Sequence, residues 1–433
     1  MKVCVDMFCG AGGESTGLLQ ATEGLGYKTK LFAINHWERA IETHSANHPE
    51  AEHFCEDVAT LKPDRIRTNK VALLWASPEC THHSNARGGR PRDAQSRASA
   101  WHVLKWLQEL YVERVIIENV KELLDWGPLN EYGKPILELK GEIFRAFIQA
   151  LRSMGYTVDY RILCAADYGD PTTRKRLFIQ AVRGKKSIVW PEITHTKPEW
   201  CPARDIIDWN FKGQLISQRK KPLAAATLRR IEAGIKKYWG EYAEPFLVVL
   251  RGTSTVSSLN MPLPTVTTSG AHYGLIEPFI TRFNGGDNRN HSVSEPVPTL
   301  DTSNRYGVIE PLLVKYYGGQ GHVKTVNNPL DTITTWDHHA ILEPFLVKFY
   351  GSGKNVESVR QPLSTVMTKD KFGLVEGYPD LSFRMLQPHE LAAAQGFPGT
   401  YKFCGNKGEI VKQIGNAVPV NLARELCKAA LTE

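Results

Sequence analysis

The chain has 433 residues, of which 42% are hydrophobic and 23% are charged, a composition typical of a soluble globular protein large enough for two domains. It contains no apolar stretch as long as the ~18 residues that a transmembrane helix needs, and its beginning shows no signal-peptide pattern, so we expect a cytoplasmic protein with no membrane partner. Its eight cysteines form neither a disulfide framework nor a zinc-ligand spacing, so we predict free thiols and no metal site.

The first 180 residues alternate short apolar runs with helical patterns, which predicts a mostly parallel α/β sheet with helices on both faces. The predicted strands are Val3–Phe8, Leu31–Ile34, Val71–Ala76, Val115–Ile117 and Leu177–Ala181. The predicted helices are Glu14–Leu25, Ala100–Leu110 and Ile136–Met154. In such sheets, ligands bind at the carboxyl ends of the strands.

A glycine-rich turn follows the first predicted strand and opens a helix. The candidate ligand-binding residues there are Asp6, Phe8, Cys9, Gly10, Gly12 and Gly13. Glycines at a helix N-terminus let the backbone approach a ligand closely. By itself the turn is compatible with a dinucleotide loop, a phosphate loop or a plain tight turn, although Ser15 stands where the dinucleotide fingerprint requires glycine.

Polar and aromatic residues follow the next two strands. His36 stands where a nucleotide-binding fold holds a ribose hydroxyl, and Trp37 could stack on an adenine face. Asp57 and Val58 would then meet the adenine edge. The alternative is structural, with Asn35 capping a helix and Trp37 in the core.

The whole net charge of +7 is concentrated in one segment. Residues 183–243 contain 13 Lys and Arg against 6 Asp and Glu, whereas residues 244–375 contain 11 of each. Such a local excess indicates a polyanion partner, although charge alone is equally compatible with a solvated surface. The segment also predicts a helix with one apolar and one cationic face, the latter formed by Arg229, Arg230, Lys236 and Lys237.

Tandem repeats occupy residues 244–375. A Glu-Pro dipeptide recurs every 33 residues, beginning at Glu244, Glu277, Glu310 and Glu343. Each copy continues with an apolar run, a Gly-rich turn and a Pro/Thr signature, which predicts a second domain of tandem β units. From about Phe383 the pattern becomes helical, with a turn at Gly415–Pro419 and a last helix at Val420–Thr432.

Several motifs together resemble the DNA cytosine-5 methyltransferase family. In family order they are Asp6–Gly13, Pro78-Glu79-Cys80, Glu118-Asn119-Val120, Arg174-Lys175-Arg176, Gln387–Phe397 and Gln413–Pro419. The resemblance covers residues 1–182 and 384–433, which would form a Rossmann-like catalytic domain. Residues 183–383, comprising the basic segment and the repeats, fall where the family carries its variable target-recognition domain.

The resemblance implies transfer of a methyl group from S-adenosylmethionine to carbon 5 of a flipped-out cytosine in double-stranded DNA. Cys80 would be the nucleophile that adds to carbon 6, and Glu118 would contact nitrogen 3. Arg174 and Arg176 would bind the base carbonyl and fix the catalytic loop. The implied cofactor-binding residues are those of the glycine-rich turn with His36, Trp37, Asp57, Val58, Pro78, Asn416 and Val418.

Some positions depart from the family pattern. Glu79 and Thr81 flank the nucleophile where the family has Pro and Gln, His36 replaces the usual Glu, and Thr172 replaces a common Gln. Each catalytic candidate also has a structural interpretation: a buried thiol for Cys80, a helix cap for Glu118, and a surface strand end for the two arginines.

Other functions remain open at this stage. The same motifs could serve a tRNA cytosine-5 methyltransferase, or a catalytically silent DNA-binding protein. A dinucleotide oxidoreductase is improbable because the glycine spacing fails. For a DNA enzyme of this kind we expect a monomer, with a cognate restriction endonuclease as a separate partner.

Overall fold

The computed structural model describes residues 1–68, 70–79, 99–211 and 384–432, and between 212 and 383 short stretches that are mostly single strands. The chain divides into two compact units, one formed by Met1–Trp200 with Gln395–Glu433 and the other by Cys201–Ala394. Cys80 and the predicted cationic helix lie outside the described residues.

A seven-stranded sheet forms the centre of the first unit. Its strands are β1 Lys2–Met7, β2 Thr29–Ile34, β3 Glu52–Phe54, β4 Lys70–Ala76, β5 Tyr111–Asn119, β6 Tyr156–Cys164 and β7 Lys175–Arg183. They are arranged in the order β3-β2-β1-β4-β5-β7-β6. The first five strands are parallel, whereas β7 is antiparallel to both β5 and β6. The predicted mostly parallel α/β sheet is confirmed.

Helices cover both faces of this sheet. The helices of the first unit are α1 Gly13–Gly24, α2 Glu38–Asn47, α3 Trp101–Glu109, α4 Glu142–Ser153, α6 Lys407–Asn416 and α7 Val420–Leu431. The helix α5 Pro388–Ala394 belongs to the second unit. On one face α3 and α4 bury Trp106 and Phe147 against the sheet, and on the other α1 and α7 bury Leu18 and Leu426. Strand β4 has six consecutive buried residues, as expected for a parallel strand covered on both sides.

The close contact between α1 and α7 depends on Gly17. A Cβ atom at this position would lie 2.6 Å from the carbonyl oxygen of Val420 and 2.7 Å from the Cβ of Ala423. Only glycine therefore lets the two backbones approach at this distance. The contact fixes the C-terminal part of the chain against the helix that follows β1.

Three local features differ from the sequence-based expectations. Strand β6 was not predicted, because polar residues such as Asp159 and Arg161 interrupt its apolar pattern. Helix α4 begins at Glu142 rather than at Ile136, because Gly141 has a left-handed φ of 77°. Helix α6 continues through Asn416, so the predicted turn at Gly415–Pro419 is wrong in its first two residues.

The second unit consists largely of short strands. They are β8 Gln214–Leu215, β9 Phe246–Val249, β10 Arg251–Gly252, β11 Val256–Ser258, β12 Tyr273–Ile276, β13 Phe279–Arg282, β14 Asn290–Ser292, β15 Tyr306–Val308, β16 Leu312–Lys315, β17 Val323–Thr325, β18 His339–Leu342, β19 Phe345–Val347, β20 Phe349–Gly351, β21 Gly373–Val375 and β22 Ser382–Met385. Phe383 lies within β22, so the helical pattern predicted from about this residue starts later, at α5.

The repeats give repeated strand pairing. The apolar run after each Glu-Pro is a strand, namely β9, β13, β16 and β19. In the first three copies this strand pairs antiparallel with two later strands of the same copy, giving β11-β9-β12, β14-β13-β15 and β17-β16-β18. The first of these sets belongs to a five-stranded sheet that also contains β22 and β8, whereas the other two are separate three-stranded sheets. In the fourth copy β19 pairs antiparallel with β21. The strand after each Glu-Pro thus pairs antiparallel with a later strand of its own copy.

The first unit extends beyond β7 because the following segment returns to it. The indole nitrogen of Trp190 donates to Asp159 at 2.7 Å, and that of Trp200 donates to Asp167 at 3.0 Å. These bonds hold residues 184–200 against β6 and the residues that follow it.

Among the helices that the structure describes, none is both long and apolar enough to cross a membrane.

Candidate active site

The turn after β1 takes a conformation that is strained for most residues. Phe8 has φ 63°, Gly10 has φ 51° and Gly12 has φ 91°, all in the left-handed region. A non-glycine residue held in this region is rare and is often found at ligand sites. We call residues Asp6–Gly13 the cofactor loop, because these residues carry the predicted cofactor contacts.

The carboxylate of Asp6 lies buried at the base of the cofactor loop. Its Oδ2 accepts a hydrogen bond from the Ser15 hydroxyl, whereas its Oδ1 is buried and has no hydrogen-bond partner. Burial raises the pKa of Asp6 to about 8, and the bond from Ser15 opposes that increase. An orphaned buried oxygen of this kind suits a site that takes up a polar or cationic ligand.

The closing motif lies directly on the cofactor loop. A Cβ atom at Gly13 would lie 2.3 Å from the carbonyl oxygen of Val418, so this contact also requires glycine. The buried carboxylate of Glu14 accepts a hydrogen bond from the backbone N–H of Val418, and burial raises its pKa. Val418 is itself buried, whereas Asn416 is exposed at the end of α6.

At the end of β2, the structural alternative, with Asn35 as a helix cap and Trp37 in the core, is wrong in both parts. The Asn35 side chain accepts a hydrogen bond from the Trp37 backbone N–H at 2.9 Å, but α2 starts at Glu38 with Trp37 as its N-cap and without a side-chain cap bond. Trp37 is not a core residue, because its side chain is only partly buried and the Lys412 ammonium lies over its ring at 4.4 Å. His36 is exposed beside it.

Asp57 and Val58 follow β3 and have different surroundings. Asp57 is exposed, and its Oδ1 accepts from the Ala59 backbone N–H at 2.8 Å. The Val58 side chain is 2% exposed and packs in the hydrophobic core, so a cofactor contact at this residue would have to use its backbone.

The loop after β4 is fixed where it begins. Pro78 is buried, and its carbonyl oxygen accepts a hydrogen bond from the Asn119 side chain at 3.0 Å. Asn119 therefore fixes the backbone at Pro78, two residues before Cys80 in the sequence.

A buried ion pair stands at the end of β5. The Arg176 Nε lies 3.2 Å from Glu118 Oε1, with side chains that are 13% and 9% exposed. Burial raises the pKa of Glu118, while the charges of Arg176 and then Arg174 oppose that increase. The result is a carboxyl group that can bind a proton more readily than an exposed one.

Arg174 is buried and contacts the closing motif. Its Nη1 donates to the Gly415 carbonyl oxygen at 3.0 Å, in the last turn of α6, where a cation also interacts favourably with the helix dipole. This arginine thus links β7 to α6. A role at the base carbonyl, which the resemblance implied for both arginines, suits Arg176 better.

The candidate site residues described above lie at one edge of the sheet. The cofactor loop, Trp37, Pro78 and Glu118 follow or end parallel strands, and β7 begins at the same edge because it runs antiparallel to β5. Asp57 follows β3, which is parallel to β2. This is the edge at which open α/β sheets bind ligands.

Sequence reasoning missed a histidine cluster behind the cofactor loop. His44 Nδ1 lies 2.8 Å from His53 Nε2, and His44 Nε2 lies 2.9 Å from the Ser15 hydroxyl. His48 Nε2 lies 3.1 Å from the Thr16 hydroxyl. The spacing of His44 and His48 by one helical turn was the available signal, but nothing in the sequence placed them at the loop.

The histidine cluster should make the first unit sensitive to acid. Burial lowers the pKa of His48 to about 4, and the pKa values of His44 and His53 are also lowered, first of all by burial. In the unfolded chain these imidazoles titrate near pH 6.5, so unfolding takes up protons below that pH. The histidines therefore contribute a loss of stability as the pH falls through 6.5, and His48 alone accounts for about 2 kcal/mol of it between pH 7 and 5. The buried carboxyl groups of Asp6 and Asp170, whose pKa values are raised to about 8, contribute in the opposite direction over the same range.

Thermal unfolding as a function of pH measures this effect. His48→Gln should lose about 2 kcal/mol less stability than the unaltered chain between pH 7 and 5, whereas His36→Gln, at an exposed position, should behave like the unaltered chain. An equally steep loss in the His48→Gln variant would show that other groups cause the acid sensitivity.

The chain is similar to known DNA methyltransferases. A family model described as C-5 cytosine-specific DNA methylase matches residues 3–432. The type II methyltransferase M.AgeI of Thalassovita gelatinovora is 27% identical over 197 residues, covering 44% of this chain and 42% of that protein. M.Sau3AI of Staphylococcus aureus is 24% identical over 184 residues, covering 40% and 42%. These matches therefore span about two fifths of each relative's length.

Solved structures share the fold at low sequence identity. A Spodoptera frugiperda DNMT2 mutant has a TM-score of 0.51 and 14% identity, with 100% of both chains covered. The Entamoeba histolytica methyltransferase EhMeth has a TM-score of 0.52 and 12% identity, covering 99% of this chain and 98% of that one.

The fold and the arrangement at the sheet edge are those expected of the methyltransferase class. The chain belongs to the C-5 cytosine-specific DNA methylase family, because the family model extends over nearly its whole length.

Proposed function

We propose that the chain transfers a methyl group from S-adenosylmethionine to carbon 5 of a flipped-out cytosine in a specific double-stranded DNA sequence, through a covalent adduct with Cys80. The observation that carries this proposal is the buried Glu118–Arg176 pair, which stands at the same sheet edge as the cofactor loop and Pro78. Such a pair suits binding of a polar heterocycle at that edge.

The residues at this edge fit S-adenosylmethionine. The orphaned Oδ1 of Asp6 and the left-handed backbone at Phe8 and Gly10 suit a polar ligand held against the backbone. Trp37, with His36 and Asp57 beside it, would hold the adenosine, and the cofactor loop with Asn416 would hold the amino-acid end. When bound, the cofactor supplies an electrophilic methyl group on a sulfonium centre.

Trp37→Ala is expected to weaken cofactor binding by about 1–3 kcal/mol, because stacking and apolar burial are lost. Isothermal titration with S-adenosylmethionine and with its demethylated product measures the change. Trp190→Ala is a matched control, since Trp190 is also partly buried and lies under a cation, the Arg161 guanidinium, at the far edge strand. An unchanged dissociation constant in Trp37→Ala would remove this residue from the cofactor site.

Side chains of this protein would carry out the other steps of the reaction, which activate the cytosine ring. A thiolate at Cys80 adds to carbon 6 of the base, which makes carbon 5 nucleophilic. Glu118 in its protonated form donates to nitrogen 3 and stabilises the adduct, and its raised pKa supports that state. Arg176 orients the Glu118 carboxyl group and donates to the base carbonyl.

A cytosine inside a duplex must be flipped out before Cys80 can reach its ring, at a cost of a few kcal/mol. Phosphate contacts would offset that cost, and residues 183–243 hold the chain's excess positive charge. The interpretation of residues 229–237 as a cationic helix lies outside the described residues and stays a prediction.

Replacing Arg229, Arg230, Lys236 and Lys237 by glutamine is expected to lower the salt dependence of DNA binding. Each lost phosphate contact should reduce the slope of log K against log salt by about 0.9. The matched control replaces four lysines at the opposite, amino edge of the sheet: Lys2, Lys28, Lys30 and Lys70. Equal salt-dependence slopes in the two variants would show that Arg229, Arg230, Lys236 and Lys237 do not contact DNA phosphates.

The repeats of residues 244–375 are proposed as the target-recognition domain. Their charge is balanced, which disfavours non-specific phosphate binding, and the equivalent strands β9, β13, β16 and β19 are each followed in the sequence by a turn of different composition. Polar side chains in such turns can discriminate bases in the major groove. We further propose a cytoplasmic monomer that acts beside a separate restriction endonuclease.

A labelled-methyl assay tests the proposed reaction. The chain is incubated with deuterated S-adenosylmethionine and either duplex DNA or tRNA, and the nucleosides are then analysed by mass spectrometry. We expect labelled 5-methylcytosine in DNA alone. Label confined to tRNA would support the tRNA alternative, and no label in either substrate would support a silent DNA-binding protein.

A further inference from the structure

A group of side chains stands behind the cofactor loop and contacts its backbone. A Cβ atom at Gly12 would lie 2.8 Å from the Tyr401 hydroxyl oxygen, 2.9 Å from His44 Cδ2 and 3.2 Å from His48 Nε2. We call Tyr401, His44 and His48 the backing layer. It fills the side of the loop that a side chain at residue 12 would otherwise occupy.

Tyr401 holds the loop through its backbone. Its hydroxyl donates to the Ala11 carbonyl oxygen and lies 3.3 Å from His48 Nε2. The Thr16 hydroxyl donates to the Gly12 carbonyl oxygen at 2.6 Å. Two successive carbonyl groups of the loop are therefore fixed from behind, which determines where the intervening peptide points.

His44 holds the loop through a directed chain of hydrogen bonds. When Asp6 is ionised, the Ser15 hydroxyl gives its only hydrogen to Asp6 Oδ2 and accepts a hydrogen from His44 Nε2. In the neutral ring, Nδ1 is then an acceptor, and His53 Nε2 donates to it. These hydrogen bonds thus connect His53 to His44, His44 to Ser15, and Ser15 to Asp6.

The segment that carries Tyr401 is itself fastened to α2. The Asn47 side chain donates to the Lys402 carbonyl oxygen at 2.7 Å and accepts from the Lys402 backbone N–H at 2.8 Å. The Thr43 hydroxyl accepts from the Cys404 backbone N–H at 2.8 Å. The backing layer is therefore a fixed part of the first unit.

The protonation states of the layer agree with this bonding. Burial and the neighbouring imidazoles keep the pKa of His44 well below its usual value, so its ring is neutral at ordinary pH. The titratable groups around the layer are Asp6 on β1, Glu14 on α1, His53 on β3, Cys9 in the loop and the layer's own members.

We propose that Tyr401 and His44 are positioning residues of the cofactor loop: through the Ala11 carbonyl and the Ser15–Asp6 pair they hold the loop in its cofactor-binding conformation. The proposal rests on the proposed function, because it assumes that the loop binds S-adenosylmethionine. Neither residue takes part in the methyl transfer itself.

Tyr401→Phe tests the first contact by removing one hydroxyl group. We expect the dissociation constant of S-adenosylmethionine, measured by isothermal titration, to rise on the order of 10-fold, because a buried carbonyl loses its donor. The KM for cofactor should rise in parallel while kcat at saturation stays near that of the unaltered chain. The matched control is Tyr156→Phe, which removes a hydroxyl that donates to the Val112 carbonyl oxygen at 2.9 Å on β5.

Both tyrosine variants should lose some thermal stability, but only Tyr401→Phe should lose cofactor affinity. An equal dissociation constant in the two variants would overturn the positioning role of Tyr401. If the unaltered chain binds neither S-adenosylmethionine nor its demethylated product, the cofactor assignment fails, and the proposal fails with it.

A second pair of variants tests His44. His44→Gln keeps an N–H donor near the Ser15 hydroxyl, so we expect cofactor affinity within a few-fold of the unaltered chain, whereas His44→Leu should lose on the order of 10-fold. Equal affinities in the glutamine and leucine variants would show that the hydrogen bond to Ser15 does not position the loop.

Discussion

Cys80→Ala is expected to abolish methyl transfer to DNA, with a loss of about 10⁴-fold or more, because no other group would activate carbon 5 of the base. Cofactor binding should be unchanged, since Cys80 acts on the base. The control is Cys55→Ala, which removes an exposed free cysteine of the same unit and should retain full activity.

The covalent step can be tested separately from turnover. Duplex DNA with a carbon-5-fluorinated cytosine at the target site should form an irreversible complex with the unaltered chain when S-adenosylmethionine is present. Trapping that survives in Cys80→Ser would assign the covalent bond to another residue.

Glu118→Gln is expected to lower kcat on the order of 10²-fold, because it removes a proton donor to nitrogen 3 and breaks the ion pair that orients Arg176. Cofactor affinity should remain within a few-fold of that of the unaltered chain. Glu113→Gln is the matched control on the same strand, since Glu113 pairs with Lys70 at 2.9 Å at the opposite end of β5.

Single-turnover rates with saturating DNA and cofactor measure the effect of Glu118→Gln on chemistry alone. Equal rates in Glu118→Gln and Glu113→Gln would leave Glu118 as a structural carboxylate that only neutralises Arg176.

Local sequence patterns were sufficient to predict most of the catalytic sheet. Apolar runs such as Val71–Ala76 predicted buried strands, and every run lies within an observed strand except for Phe8, which falls in the turn after β1. The glycine-rich turn was also predictable, because Gly10 and Gly12 supply left-handed backbone conformations that other residues rarely adopt. The ordered motifs gave the family, which the match over residues 3–432 confirmed.

Long-range contacts were not predictable in the same way. Tyr401 meets the Ala11 carbonyl and Arg174 meets the Gly415 carbonyl across hundreds of residues, and a single sequence carries no periodicity that links such positions. The different partners of Arg174 and Arg176 illustrate this limit of prediction from a single sequence. Arg174, just before β7, and Arg176, within it, share one motif, but one contacts the closing motif and the other contacts Glu118.

Element boundaries depended on single residues. The predicted Ile136–Met154 helix begins only at Glu142, after Gly141, and the Asn406–Glu409 capping box starts a helix that extends into the expected turn at Gly415. The 33-residue period did predict the equivalent strands β9, β13, β16 and β19, because the apolar run after each Glu-Pro dipeptide repeats with it.

Sequencing of methylated cytosines in DNA from cells that express the chain tests the central claim most directly. We expect 5-methylcytosine at one recurring sequence, and none at that sequence in cells that express Cys80→Ala. Absence of any methylated site, or the same methylated sites with both proteins, would contradict the assignment of DNA cytosine-5 methylation to this chain.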